Sequence, residues 1–525
     1  MHFNLLFPSA ICAAMLSVST YAGDTHDPNR TATIYLHGFD PDGADLDGVF
    51  GEDMQEELLG VIGDMAGLPL LEDGEAMNSV AATTYYGDIP PSYYTAADIA
   101  ELEAVTEAWG GGMPRYGLIA AKYARHVMDR TGATQVNIVS VSMGTYVARW
   151  MIEHDSDGLA SDGKIARWLS LEGVLSGNWA ASNELVSDLF DIFGTPTIDV
   201  DQMHYGWCEA NMNSPRTEMD NALYGDILVG MEVSSRDTDG TLTDIMLLKG
   251  DFHANDDVVT IDDAYFLTTT SQSHFLGHEP TRTYFHVNHY ELAEHTPAMA
   301  QVASFLTGQR RVKIELTQAQ IEDINEPDDP WWDFTPAEIV FTSSVVSPQA
   351  QANWGITEPM CNRPADGVSA PIHEVGGNGD SVQPNQLVYD DFVAPGETVL
   401  HVTVGAVEID DDLRYDVWEP LIGDGWDELG EDTITVDVST PGIHTRSIDA
   451  PDFNGTIRVE VIDYPFAELN DTLPGDVDGD GVVGVNDLLA IIAAWGPCSG
   501  CSEDITGDGV VDVNDLLAGL AAWTG

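Results

Sequence analysis

Basic residues are scarce: 19 Lys and Arg stand against 88 Asp and Glu in 525 residues, a formal net charge of −69. Such a surface repels phosphates and anionic lipids, so electrostatic binding to nucleic acid or to an anionic membrane is excluded. Long apolar runs are also missing. Beyond Met1–Ala22 nothing approaches the ~20 residues that span a bilayer, so no transmembrane segment is expected in the mature chain. Cysteine is rare too, with five in all, so the chain is not a disulfide-built scaffold. What it has is length and 43% hydrophobic residues, enough for several cores.

Met1–Ala22 carries an apolar stretch (Leu5, Leu6, Phe7, Ala10, Ile11, Ala13, Ala14, Met15, Leu16) followed by the small-residue site Thr20-Tyr21-Ala22. That pattern predicts a signal peptide and a secreted protein, although His2 stands where Lys or Arg is usual and Pro8 interrupts the run. Cleavage leaves Cys208, Cys361, Cys498 and Cys501. An even count in an exported chain favours disulfides, and Cys498-Ser-Gly-Cys501 is spaced to close a small local ring.

From residue 29 to 308, β-rich runs alternate with helical stretches, the pattern of an α/β domain with a mainly parallel sheet. Strands are expected at Thr31–Leu36, Gln135–Ser140, Ile165–Leu171, Asp226–Val233, Ile245–Lys249 and Arg282–Val287, and helices at Leu118–Met128, Thr145–His154 and Ala298–Leu306. An insertion over 178–225 carries Leu185, Leu189, Phe190 and Phe193 at helical spacing, which suits a lid as well as a packed surface helix. From 311 to 466 the texture changes to alternating strands such as Val399–Val404, Thr433–Val438 and Ile457–Val461, the pattern of a β-sandwich domain. The spacing of its strands and acidic loops, Glu408–Asp412 among them, weakly resembles C2-type sandwiches; that loop suits calcium or plain solvation.

The last stretch repeats at a fixed offset: Asp476-Val-Asp-Gly-Asp-Gly-Val-Val-Gly-Val-Asn-Asp487 matches Asp504-Ile-Thr-Gly-Asp-Gly-Val-Val-Asp-Val-Asn-Asp515. A loop of this kind offers hard oxygen ligands at positions 1, 3, 5 and 12, a backbone carbonyl at 7, and Gly at 6 where the chain turns round the ion. Asp476, Asp478, Asp480, Val482 and Asp487 fill those places in the first copy; Asp504, Thr506, Asp508, Val510, Asp512 and Asp515 serve in the second. Over residues 473–525 the tandem loop-helix units resemble a type I dockerin, which implies structural calcium and a cohesin-like partner or cell-surface scaffold. The departures are Gly484 at position 9 and the neutral Thr506. The helices are expected to bury Leu488, Leu489, Ile492 and Trp495 against Leu516, Leu517, Leu520 and Trp523.

Val136–Val141, then Ser142-Met143-Gly144, then Thr145–Trp150 reads as strand, tight turn and helix, with Ser142 lifted above the sheet as a nucleophile would be; Ser140 replaces the first Gly of G-x-S-x-G. His37-Gly38-Phe39 follows the first strand and resembles the oxyanion loop of α/β-hydrolases of the lipase and esterase type; that resemblance implies Phe39 and Met143 N–H groups as the oxyanion donors. The segment Asn255-Asp256-Asp257-Val258-Val259 resembles the lipase segment N-D-G-V-V, which implies Asp256 as the acid, with Asp251 and Asp257 as rivals; His289 is the best-placed base, with His286 and His295 beside it. Together these residues resemble the lipase/esterase branch of the α/β-hydrolase superfamily over 30–308. The resemblance implies ester hydrolysis by a Ser142, Asp256, His289 triad without a catalytic cofactor; an amidase, thioesterase, polyester depolymerase or inactive scaffold would share the frame.

Overall fold

The computed structural model describes residues 26–39, 61–71, 74–86, 89–183, 197–225, 227–236, 241–249, 253–264, 266, 280–285, 287–324, 337–347, 352–357, 372–409, 426–464, 477, 483–498, 501, 503, 505–506 and 509–521. The expected signal peptide, the apolar residues of the expected lid, Cys361 and the acidic residues of Asp410–Asp412 lie outside them.

Six strands form the parallel part of the main sheet: β1 (Thr31–Leu36), β2 (Val80–Thr83), β3 (Gln135–Val141), β4 (Ile165–Leu171), β5 (Leu228–Ser234) and β6 (Thr281–Phe285), in spatial order β2-β1-β3-β4-β5-β6. β1, β4 and β5 are buried at every residue, as strands covered on both faces must be, and their Val, Ile and Leu content follows from that. Helices α1 (Ala96–Trp109), α2 (Met113–Thr131) and α3 (Met143–Glu153) supply cover, with α4 (Thr197–Met203), α5 (Tyr205–Asn211), α6 (Thr241–Lys249) and α7 (Thr296–Thr307) after them. The strand expected at Ile245–Lys249 is therefore helix α6. Its apolar run Ile245–Leu248 is too short for periodicity to separate the two states.

The sheet does not stop near residue 311, where the sandwich was expected to begin. β7 (Arg310–Ile321), β12 (Gln386–Val393), β15 (Gly442–Asp449) and β16 (Phe453–Asp463) continue it antiparallel, joined where Asp390 pairs with Arg282 of β6, to give 11 strands with β11 (Ser381–Val382) on β7. A smaller sheet holds β8 (Ala337–Ser347), β9 (Ala352–Thr357), β10 (Ile372–Val375), β13 (Val399–Ile409) and β14 (Trp426–Asp437). Val312, Ile314, Leu316 and Ile457 of the large sheet share one apolar core with Ile339, Phe341, Leu400 and Val402 of the small one, and with Val302 and Phe305 of α7. Where strands alternate buried with part-exposed positions, as β16 does, only one face meets that core. The buried Arg311 clamps Asp390 through two bonds of 2.7 and 2.8 Å. Removing either partner alone would cost about 3–5 kcal/mol.

At the C-terminus, α8 (Val485–Ala493) and α9 (Val513–Ala521) follow the two acidic loops, linked by β17 (Gly496–Pro497) pairing β18 (Val510–Val511). Cys498 and Cys501 form the expected disulfide, whereas Cys208 is a buried free thiol, against the expectation of full pairing. The expected helix contact is corrected in part. Ile491 is buried and meets α9 at Gly519, where a Cβ would lie 3.0 Å from Ile491 and 3.4 Å from Leu488. Leu489, Ile492, Trp495, Leu517 and Leu520 are instead about half exposed, because the buried stripe runs one position round the helix.

Candidate active site

Ser142 lies between β3 and α3, as the N-cap of α3, at φ 51°, ψ −125°, a conformation that costs a non-glycine residue about 1–3 kcal/mol. The turn is tight because Gly144 packs against the first strand: a Cβ there would penetrate the carbonyl oxygens of Leu36 and His37. Gly144→Ala is therefore expected to lower stability by at least about 2 kcal/mol, read as a fall in the thermal midpoint. Ser140, the departure from the first Gly, is buried and bonded. Its hydroxyl accepts from Trp168 Nε1 (2.9 Å), lies 3.0 Å from Thr145 Oγ1, and faces the Leu169 carbonyl at 3.3 Å.

His289, on the loop after β6, is 1% exposed and is brought to Ser142 from 147 residues away. Its Nε2 lies 3.0 Å from Ser142 Oγ and its Nδ1 donates to Asp256 Oδ2 at 2.9 Å. A backbone bond from His289 N–H to the Asp256 carbonyl (2.8 Å) fixes the two loops together. Asp256 Oδ1 accepts from the N–H groups of Val258 (3.1 Å) and Val259 (2.7 Å), so the carboxylate has one set orientation. Asp257 takes φ 84° beside it, and its backbone N–H donates to Asn255 Oδ1 at 3.0 Å. Asp251 and His286 lie outside the described residues. His295 caps α7 with its ring edge-on to Phe285.

The expected oxyanion segment lies against the turn. Phe39 packs on the core that includes Met143, and Met143 opens α3, where N–H groups lack intrahelical acceptors. His37 is structural: it stacks on Tyr85 with ring centroids 4.1 Å apart, and its Nδ1 donates to the Gly38 carbonyl at 2.8 Å. Burial lowers it to about 4, so it is neutral. Tyr85 OH bonds both the His37 and Gly38 carbonyls.

Three buried acids near the site carry no signal in the sequence. Glu172 follows β4, is 3% exposed, and accepts from Ser234 Oγ at 3.0 Å. Its carboxyl and the ligand atoms of Asp256 and His289 lie within 4.8 Å of one another. Both imidazole nitrogens are already engaged, so a metal there would have to displace Ser142 or Asp256. Burial would favour neutral imidazole, but the Asp256 and then the Glu172 charge outweigh it and push His289 up to about 9. Asp199 of α4 is fully buried, accepts from Tyr86 OH at 2.9 Å, and is pushed by burial up to about 6. With Gln202, which accepts from Met113 N–H at 2.6 Å, it ties the described part of the insertion to the core. Among the described residues the carboxyl of Glu232 on β5 has no hydrogen-bond partner.

Near the C-terminus the loop residues Asp476, Asp478, Asp480, Val482, Asp504 and Asp508 lie outside the described residues. The last position of each loop is seen, and both copies behave alike. Asp487 accepts from Val477 and Gly484 N–H groups (both 2.7 Å), and Asp515 from Thr506 (2.9 Å) and Asp512 (2.8 Å).

No protein-family profile and no curated protein matches the chain. The fold shows a weak resemblance to several α/β-hydrolase-fold lipases and esterases over about half its length. A Bacillus licheniformis lipase in mature form aligns at 15% identity over 51% of this chain and 88% of its own, with a TM-score of 0.30. A metagenomic carboxyl esterase gives 15% identity over 51% and 66%, also at 0.30. A C2 domain protein from Ramazzottius varieornatus gives 12% over 31% and 92%, at 0.20. Among the described residues no helix is long and apolar enough to cross a membrane.

Proposed function

We propose that the chain is a secreted serine hydrolase of carboxylic esters, with Ser142 as nucleophile, His289 as general base and Asp256 as its acid partner. One observation carries this reading: the bonded series from Asp256 Oδ2 through His289 to Ser142 Oγ, on a strand-turn-helix whose backbone is held in a costly conformation. Ser142 Oγ attacks the ester carbonyl while His289 Nε2 takes its proton, and the Phe39 and Met143 N–H groups receive the oxyanion. His289 returns that proton to the leaving alkoxide oxygen; water, deprotonated by the same nitrogen, then attacks the acyl-serine, and that proton passes to Ser142 Oγ as the acid is released. Thioesters, amides and polyesters meet the same atoms, so acyl and leaving-group pockets decide among them.

The competing reading is a hydrolase-fold binding protein without turnover, and the charge on His289 favours it at neutral pH: an imidazole held protonated up to about pH 9 is no base. A fluorophosphonate probe separates the two. Stoichiometric labelling that maps to Ser142 supports the enzyme, and an unlabelled folded chain refutes it. For the enzyme, the base must be deprotonated, so kcat/KM for a soluble p-nitrophenyl ester is expected to rise with pH through about 9.

For residues 473–525 we propose calcium-dependent docking to a cohesin-like scaffold partner. The donor set is all hard oxygen, as calcium requires, and the two described end-of-loop carboxylates are placed alike. The helices also present matching exposed stripes, Val485, Leu489 and Ile492 on one, Val513, Leu517 and Leu520 on the other. Chelation is expected to abolish the ordered helices of this segment and its binding to a cohesin-bearing scaffold, as read by circular dichroism and pull-down. Hydrolysis of a small soluble ester should persist; its loss in a chain already lacking 473–525 would place a further metal site elsewhere.

A further inference from the structure

The mechanism above leaves Glu172 unused, yet its placement is expensive twice over. A buried carboxyl is costly unless compensated. Glu172 also takes φ 41°, a region that favours glycine. It is nevertheless fixed from two sides, by Ser234 Oγ on its carboxyl and by its own N–H on the Glu232 carbonyl at 2.8 Å. Residues that violate local preference at the edge of a reactive group are where function is to be sought.

The groups facing it come from several elements. Tyr35 lies on the β1 side, Glu232 and Ser234 on β5, Asp256 on the acid loop, and His289 after β6. Beyond Glu232, which is registered with Thr283, lies Asp391 of β12, bonded to the Thr283 hydroxyl at 2.5 Å. The three acids Glu172, Glu232 and Asp391 thus run in a row across β4, β5, β6 and β12. Burial, then Asp391 and Glu172, push Glu232 far above the carboxylate range; burial carries Asp391 up to about 7 against the Thr283 bond. Glu172 itself is raised by burial to about 8, with His289 pulling it back down. It can therefore gain or lose charge in the range where His289 titrates, while Glu232 behind it stays neutral.

We infer that Glu172 is a second carboxyl partner of His289, a positioning residue that shares with Asp256 the stabilisation of the imidazolium and substitutes in part for Asp256 when that carboxylate is removed. The inference rests on the Ser142, His289 and Asp256 assignment, and Ser142→Ala tests that assignment separately. With Ser142-dependent turnover established in the full chain, Glu172→Gln is expected to move the acidic limb of the kcat/KM profile down by roughly 1 pH unit. The sign follows because one fewer negative charge lets His289 lose its proton sooner. Ser234→Ala should move it the same way by less, since Glu172 then stays neutral over a wider range. In an Asp256→Asn background, Glu172→Gln should lower residual turnover by a factor about tenfold larger than in the parent. A folded Glu172→Gln protein whose limb stays at the parent's pH, or equal factors in the two backgrounds, overturns the inference. If that variant does not fold, an unmoved limb in Ser234→Ala overturns it instead.

Discussion

Ser142→Ala is expected to abolish nearly all ester turnover, lowering kcat by about 10⁴–10⁶, while the chain keeps its fold. The size of the loss follows from the unit Ser142 belongs to: without the oxygen there is no acyl-enzyme, and His289 has no proton to accept. What remains is attack by water on an ester still held by the oxyanion donors. The fold should survive because Ala occupies the same φ 51° turn, and the close fit of Gly144 against Leu36 and His37 does not involve the hydroxyl. Steady-state hydrolysis of a p-nitrophenyl ester, with a thermal melt as control, measures both. Near-parental turnover by a folded variant would remove Ser142, and with it the hydrolase reading.

What the sequence discloses is local. β1 and β4 have the bounds expected of them, and β3 runs one residue further, because their β-branched and apolar runs are bounded by clear turns. Ser142, Asp256 and His289 were legible through short motifs and chain order, and the structure brings those three side chains into one hydrogen-bonded series. Long-range facts were not legible. Val80–Thr83 is four small residues, Val-Ala-Ala-Thr, with no pattern to read. β12 carries Asp390 and Asp391 in its middle, which hides a strand that joins the two halves of the large sheet. Glu172 and Glu232 are 60 positions apart in a chain full of acids, and only the register of β4 on β5 makes them neighbours. In α8 and α9 the apolar residues outnumber those one contact can bury, so which stripe faces inward is a matter of packing.

Asp256→Asn should cost about 10³–10⁴ in kcat, and the hydrogen bonds around that carboxylate say why an isosteric change does so much. Oδ1 accepts from two backbone N–H groups, those of Val258 and Val259, so in the variant the amide oxygen must occupy that position. The NH₂ group then points at His289 Nδ1, 2.9 Å away in the parent, and makes that nitrogen an acceptor. The imidazole proton moves to Nε2, which faces Ser142 Oγ and can no longer take its hydrogen. The active tautomer is disfavoured and the imidazolium loses its nearest charge. Asp257→Asn should be mild by comparison, since it is the Asp256 carboxylate that bonds His289 Nδ1. Comparing kcat for the two single variants at high pH, where the parent base is free, isolates the tautomer effect. A Asp256→Asn protein within tenfold of Asp257→Asn would mean that another carboxyl already holds His289 in its working form.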